Sequence, residues 1–403
     1  NMYNTAIGHN AGTAVTTGTL NTLVGGEVGA SLNTGARNTL MGVRAGTSLT
    51  DGNYNVAIGY QALTDDDSGA HNTAVGYFAL ENFDGGSGTG YNTIIGTQAG
   101  RNISTGVNNT AVGSLAMGSG TTTGGDNIAL GYSAGLSLTS GNYNTLIGSY
   151  AGDALTTGIR NTAIGYNALS SEDGDGYNVA VGYEALKTQN AGAGAYSVAM
   201  GYQAGLSVTT GVANILMGGH AGDALTAGRR NVAIGHAALS AEDDHSYCVA
   251  IGYQALLRQD AGANTYNIAI GYDAGQAVTT GVNNTLIGGS TAYALTTGSY
   301  NTALGFNTLA TETTNSHNTA IGYASMSSTE LSAKNVAIGN NTLQNLTNVS
   351  TTDTYNVAVG YNAGINVTTS VENTLIGGLA GDALTTGSYN VAVGHGALST
   401  EDA

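Results

Sequence analysis

Apolar and polar positions in this chain recur with a period too long for a single strand and too short for a helical hairpin. The run Asn-(Thr/Val/Ile)-(Ala/Leu/Ile)-(Ile/Val/Leu/Met)-Gly occurs 23 times, first at Asn4 and last at Asn390. Seventeen of the 22 spacings are 17 residues, and the others are 18, 19, 19, 20 and 21. Helical-hairpin repeats need about 34 residues and propeller blades about 40. A 17-residue unit suits one coil of a parallel β-solenoid, with two short strands and two turns. Stacking at about 4.8 Å per coil predicts a rod of roughly 110 Å for 23 coils. The array is expected to be one continuous solenoid over residues 1–403, with a four-coil superrepeat of 70 residues starting at Asn127, Ser197 and Asn267.

Each unit is numbered here from its Asn as position 1. Position 5 is Gly in all 23 units, which points to a bend where a Cβ would clash. Position 1 is Asn in 21 units, with Ser197 and Cys248 in its place in the others. Stacked amides can form a hydrogen-bonded ladder. Two volume exchanges appear between units. Ala at position 3 accompanies an aromatic or His at position 6, as in Ala57 with Tyr60, whereas Leu216 goes with Gly219. This predicts that positions 3 and 6 share space. Gly or Ala at position 9 always accompanies Val, Leu or Ile at position 12, as in Gly152 with Leu155; of the eleven units with Leu or Met at 9, nine are polar or Gly at 12, as in Leu169 with Glu172, and the exceptions, Phe83 and Leu346, fall in lengthened units. One aliphatic plug per coil is thus supplied by either position. Positions 2, 4 and the plug are the expected core, and a face of Ala and Tyr is expected to need a partner chain.

Composition narrows the class. Gly accounts for 64 residues, Pro and Trp for none, and charged residues for 9%. Collagen needs Gly at every third position and abundant Pro, so it is excluded. With 41% hydrophobic residues and 23 Tyr, the chain is too apolar for a disordered segment. A net charge of −17 with only nine Lys plus Arg speaks against a nucleic-acid partner. No run approaches the 18 apolar residues of a membrane span. The lone Cys248 can form no disulfide within the chain and is expected to be buried and inert. Because both ends fall inside a repeat, a segment of a longer fibre is expected.

The element Val249–Ala255, with Thr5–Gly8 and Thr162–Gly165, resembles the head repeats of trimeric autotransporter adhesins, the YadA-like, haemagglutinin-type repeats. It is also similar to repeat shafts of phage tail fibres. The resemblance covers about seven residues in each of the 23 units. It implies a parallel β-roll, assembly of three chains around an axis, and an extracellular or virion fibre that binds a host surface, receptor or glycan. The 17-residue spacing departs from the family's shorter unit through its second half, Leu-Thr-Thr-Gly.

Candidate chemistry is sparse. Acidic clusters occur at Asp65, Asp66 and Asp67, at Glu172, Asp173 and Asp175, at Glu242, Asp243 and Asp244, and at Glu401 and Asp402. Asp65–Asp67 and Glu242–Asp244 are calcium candidates, since that ion takes several carboxylate oxygens. The competing reading is a solvated turn that keeps the surface soluble. A glycan depolymerase would need two carboxylates roughly 5–9 Å apart in a groove, and no pair stands out. The seven His show no metal spacing; His9, His236 and His395 take the usual Tyr position. Asp153, Asp223 and Asp382 suit turns, and Gly85–Gly90 lacks the strand and helix of a phosphate loop. Thr pairs such as Thr156 and Thr157 raise ice binding, but their rows are broken by Leu-type coils. The expected protein is a non-enzymatic fibre segment without cofactor.

Overall fold

The computed structural model describes residues 2–86, 88–192 and 194–400, with the side chains of 348–352 left aside. It is an all-β parallel β-solenoid with a repeat of about 17 residues and, among the described residues, no helix. The chain divides into two compact units, Asn1–Ala199 and Met200–Ala403. Twenty-three three-residue strands occupy positions 2–4 of the coils. The β-branched Thr, Val and Ile of these positions favour a pleated, half-buried surface.

Successive strands pair in parallel with coil-to-coil register. In unit 1, Thr162 pairs with Val179 and Ala163 with Ala180; in unit 2, Val232 pairs with Val249 and Ala233 with Ala250. Insertions leave this register untouched. A 19-residue step still aligns Val249 with Ile268, and the 21-residue step aligns Val336 with Val357. The extra residues therefore leave the coil elsewhere.

The expectation of two strands per coil is not met. Past position 4 the coil is turns. Among the described residues a second strand pair occurs only where Glu330–Ala333 meets Thr347–Asp353 in unit 2, with isolated parallel bridges at Ala70–Thr89 and Ile103–Thr122 in unit 1. The turns close through left-handed residues at positions 7, 9 and 17, such as Gln61 (φ 52°), Leu63 (φ 53°) and Tyr54 (φ 59°). Many of these are not Gly, at a cost of about 1 kcal/mol each.

Position 5 requires Gly for a different reason. Gly165 has φ +135°, outside the left-handed helical well, and a Cβ there would collide with the carbonyl oxygen of Gly182 in the next coil. The backbones touch at this corner, so no side chain fits.

The interior also differs from expectation. Position 3 points inward and is buried, whereas positions 2 and 4 face outward and are half-exposed or exposed, as in Val56–Ile58. The core consists of position 3, a small residue at position 8, and the plug at 9 or 12, as in Ala57, Ala62 and Leu63. The plug exchange is real: a Cβ on Gly222 would lie 2.8 Å from Leu225 Cδ1.

The supposed sharing between positions 3 and 6 is not. Ala57 is fully buried and Tyr60 is 41% exposed, on opposite sides of the wall. The true competitor of a large position 3 is position 9. A Cβ on Gly152 or on Gly135 would come within 2.8 Å of Leu146, and one on Gly381 within 2.8 Å of Leu375. All seven coils with Leu or Ile at position 3 carry Gly or Ala at position 9.

The position-1 amides form the expected ladder. Asn38 Oδ1 accepts the backbone N–H of Asn55 at 2.9 Å, and its Nδ2 donates across the coil to the carbonyl of Gly52 at 2.9 Å. Unit 2 repeats this from Asn214 to Asn231. Cys248 keeps the rung through its N–H to Asn231 Oδ1, and its buried thiol lies 2.7 Å from Thr265 Oγ1.

Candidate functional site

Two features leave the strictly structural interior: an aromatic-aliphatic outer face and a set of acidic turns. The face follows from strand alternation. With position 3 inside, positions 17, 2, 4 and 6 all point outward, as in Tyr54, Val56, Ile58 and Tyr60. Rings stack from coil to coil at both margins. At position 6, Tyr60 and Tyr77 lie 5.5 Å apart at 16°, and Tyr253 and Tyr272 5.4 Å apart at 8°. At position 17, Tyr54 stacks on His71 at 4.7 Å and Tyr247 on Tyr266 at 5.2 Å.

In two coils where position 6 is small, a ring at position 7 fills the ladder. Tyr150 bridges Tyr132 and Tyr166 edge-on in unit 1, and His220 bridges Tyr202 and His236 in unit 2. His236 stacks on Tyr253 at 5.5 Å, in the place of a Tyr. Arg160 sits between Tyr143 and Tyr177, 5.3 and 5.6 Å from their centres. Each stacked pair contributes about 0.5–1.5 kcal/mol beyond burial, so the ladders stiffen the surface while leaving it apolar.

The acidic turns are not uniformly solvated. Their position-12 member is turned into the core: Asp66, Glu172, Glu242 and Glu312 are all fully buried, in the place other coils give to Leu155 or Leu49. Each accepts the backbone N–H three residues on. Gly69 N donates to Asp66 at 2.7 Å, Asp175 N to Glu172 at 2.6 Å, and His245 N to Glu242 at 3.0 Å. The second carboxylate oxygens of Asp66, Glu172 and Glu242 have no partner. Burial pushes Asp66 up to about 7 and Glu172 up to about 8, and raises Glu242 and Glu312.

The calcium candidates are therefore split by the wall. Asp65 and Asp67 are exposed while Asp66 is inside. Asp244 is spent on the Thr226 hydroxyl, which holds its carboxyl below the usual range. Among the described residues one group brings ligand atoms within 4.8 Å of one another: Glu242, Asp243 and His245. Within it the His245 Nδ1 lies 2.6 Å from Glu242 Oε1, so imidazole and buried carboxyl already partner each other. Sequence reasoning missed His245, whose signal was its place three residues after the buried acid.

Glu172 and Asp175 are both fully buried, so they face no groove. Position-13 Thr hydroxyls bond the next coil: Thr156 donates to the Asp173 carbonyl at 2.7 Å and Thr296 to that of Thr313 at 2.8 Å. Asp153, Asp223 and Asp382 each bury an oxygen without a partner, and His220 Nδ1 lies 3.1 Å from Asp223. Burial pushes the Cys248 thiol up to about 12. Glu401 and Asp402 lie outside the described residues. Among the described residues no helix is long and apolar enough to cross a membrane.

No family model matches the chain, and no curated protein matches it either. The class the fold defines is the parallel β-solenoid repeat protein, and the functional reading rests on the outer face.

Proposed function

We propose that this chain is a shaft segment of an extracellular fibre, on a cell surface or a virion, that assembles as a homotrimer and works by reach and attachment rather than catalysis. The observation that carries this is the apolar outer face of each unit. Ile58, Ile95 and Val112 in unit 1, and Ile215, Ile268 and Ile376 in unit 2, are 36–40% exposed, between margins of exposed Tyr. Positions 17 to 6 span roughly 20 Å and each coil adds about 4.8 Å. Eleven coils of one unit then offer roughly 1,000 Å² of mostly apolar surface, above the ~800 Å² per partner of a standard interface. Contiguous patches of that size mark interaction surfaces, and identical coils offer an identical face to each copy.

Sedimentation equilibrium tests the reading. The expected mass is three times 40.1 kDa, falling to one chain when Ile58 and Ile95 are both changed to Lys with the coils still folded. A monomer at micromolar concentration would overturn it.

A further inference from the structure

One coil of unit 2 departs from the repeat where its buried acid caps the turn. Position 15 is Gly in the coils on either side, at Gly228 and Gly262, and His245 stands in its place. The coils 70 residues before and after set Asp175 and Asn315 beside the position-12 acid instead. Among the described residues only this coil brings an imidazole and two carboxylates together, through Glu242, Asp243 and His245.

The three side chains cross the wall of the solenoid. Glu242 is fully buried, His245 is 14% exposed and Asp243 is 52% exposed, so the group opens to solvent on the Asp243 side. His245 Nδ1 lies 2.6 Å from Glu242 Oε1 and 3.9 Å from Asp243 Oδ1. Two ligand atoms that share a tetrahedral zinc ion, each about 2.0–2.2 Å from it, stand roughly 3.3 Å apart. The two separations bracket that value, so small side-chain rotations seat the ion. Backbone groups hold both carboxylates in position. His245 N donates to Glu242 Oε1 at 3.0 Å, and Asp244 N donates to Asp243 Oδ1 at 2.6 Å.

The contact between His245 and Glu242 leaves part of the group unused. Glu242 Oε2 is buried and has no partner, an acceptor taken out of water with nothing in exchange. Cations bind a carboxylate through one oxygen or both, so an ion beside Oε1 serves Oε2 as well. Among the described residues no Lys or Arg pairs with Glu242 or Asp243; their ionic contact is His245. The donor set decides the ion. Calcium takes about six to eight oxygens. One imidazole nitrogen with two carboxylates is the mixed set that suits zinc and its neighbours, and three protein ligands leave a fourth position for water.

We infer that Glu242, Asp243 and His245 form a binding site for one divalent ion of the zinc class, which ties the buried acid to the outer turn of its coil. This goes beyond the fibre reading and stands or falls without it, since its test reads ion binding and not mass.

The experiment is isothermal titration of the chelator-treated full chain with zinc chloride, beside melting curves with and without zinc. One zinc per chain is expected, with an affinity on the order of micromolar or tighter and calcium at least roughly tenfold weaker. Zinc should raise the melting temperature, because an ion that binds only the folded state stabilises it. Two substitutions draw on residues that other coils of this chain accept at the same positions: His245→Asn, as at Asn315, and Glu242→Gln, as at Gln259. Each should weaken zinc binding by roughly tenfold or more, as should Asp243→Asn. Asp173→Asn, at the position in unit 1 that matches Asp243, should leave it unchanged. Circular dichroism of the variants in chelator separates lost binding from lost fold. Absence of saturable zinc binding up to millimolar concentration overturns the inference. So does zinc binding that survives His245→Asn, or calcium binding as tight as that of zinc.

Discussion

Asp66 and Glu172 take the core position that neighbouring coils fill with Leu49 and Leu155. A buried carboxylic acid can cap the turn through one oxygen, but its ionised form is penalised by the loss of water. The folded chain therefore holds protons that the unfolded chain has released. The stability tied to these groups is complete below the ordinary carboxyl range, and is lost as pH rises through about 7 for Asp66 and about 8 for Glu172. The melting temperature should fall between about pH 5 and about pH 8.5, and Glu172→Gln should flatten that slope. A melting temperature that rises over the same range contradicts the assignment. The sequence displayed the acids as a cluster; which member turns inward depended on the 9/12 exchange, because a polar residue at 12 occupies the plug's place. At position 5 the constraint is sterics. Gly165→Ala should cost several kcal/mol, the upper range for a single substitution, because the neighbouring carbonyl belongs to another backbone corner and cannot move alone. Gly26→Ala, at a site with open space around its Cβ direction, should leave the denaturation midpoint unchanged.

A single coil does not hold large side chains at both position 3 and position 9. Leu146 fits only because Gly135 and Gly152 flank it, and Leu63 fits because Ala57 does not reach across. Gly152→Leu should destabilise unit 1 by roughly 1–3 kcal/mol through overpacking. Leu146→Ala in the same chain should recover part of that loss, a coupling that chemical denaturation of the four chains in the cycle would measure. Strictly additive losses would show that the two side chains do not compete. The insertions illustrate the same economy from outside the wall. Between Cys248 and Asn267, and again between Asn335 and Asn356, the strands remain in register while the extra residues leave the closed path. The amide ladder registers the disturbance: the Nδ2 groups of Asn72 and Asn178, both in lengthened coils, are buried without an acceptor.

Across a whole unit, the division of labour is unusual for a globular protein. Most large apolar groups of the strands sit on the outer face, and the interior is built largely from Ala, Leu and amide. Few charges are available to keep that face apart from its copies: 9% of residues are charged, with a net −17. Lateral association would cover the face, which is why a three-chain mass is the expected outcome in solution. A cleft beside His317 is the exception to the repeat at this scale, since it depends on one long coil whose extra residues pair beside the ladder.

The sequence by itself determined the coil length, the parallel stacking, the Asn ladder, the bend at position 5 and the plug exchange, because each is a periodic constraint that recurs along the chain. Only the tertiary structure decided which side of the wall each residue faces. Alternation makes positions 2 and 4 equivalent and position 3 their opposite, and a one-residue choice reverses every side chain. In a coil whose inward residue is usually Ala, hydropathy favours the wrong side. The structure also decided that Leu at position 3 competes with position 9 rather than with Tyr at position 6, since that contact crosses the coil interior and reaches into the preceding coil. The cleft likewise became visible only when the 21-residue spacing was folded into a strand beside the ladder.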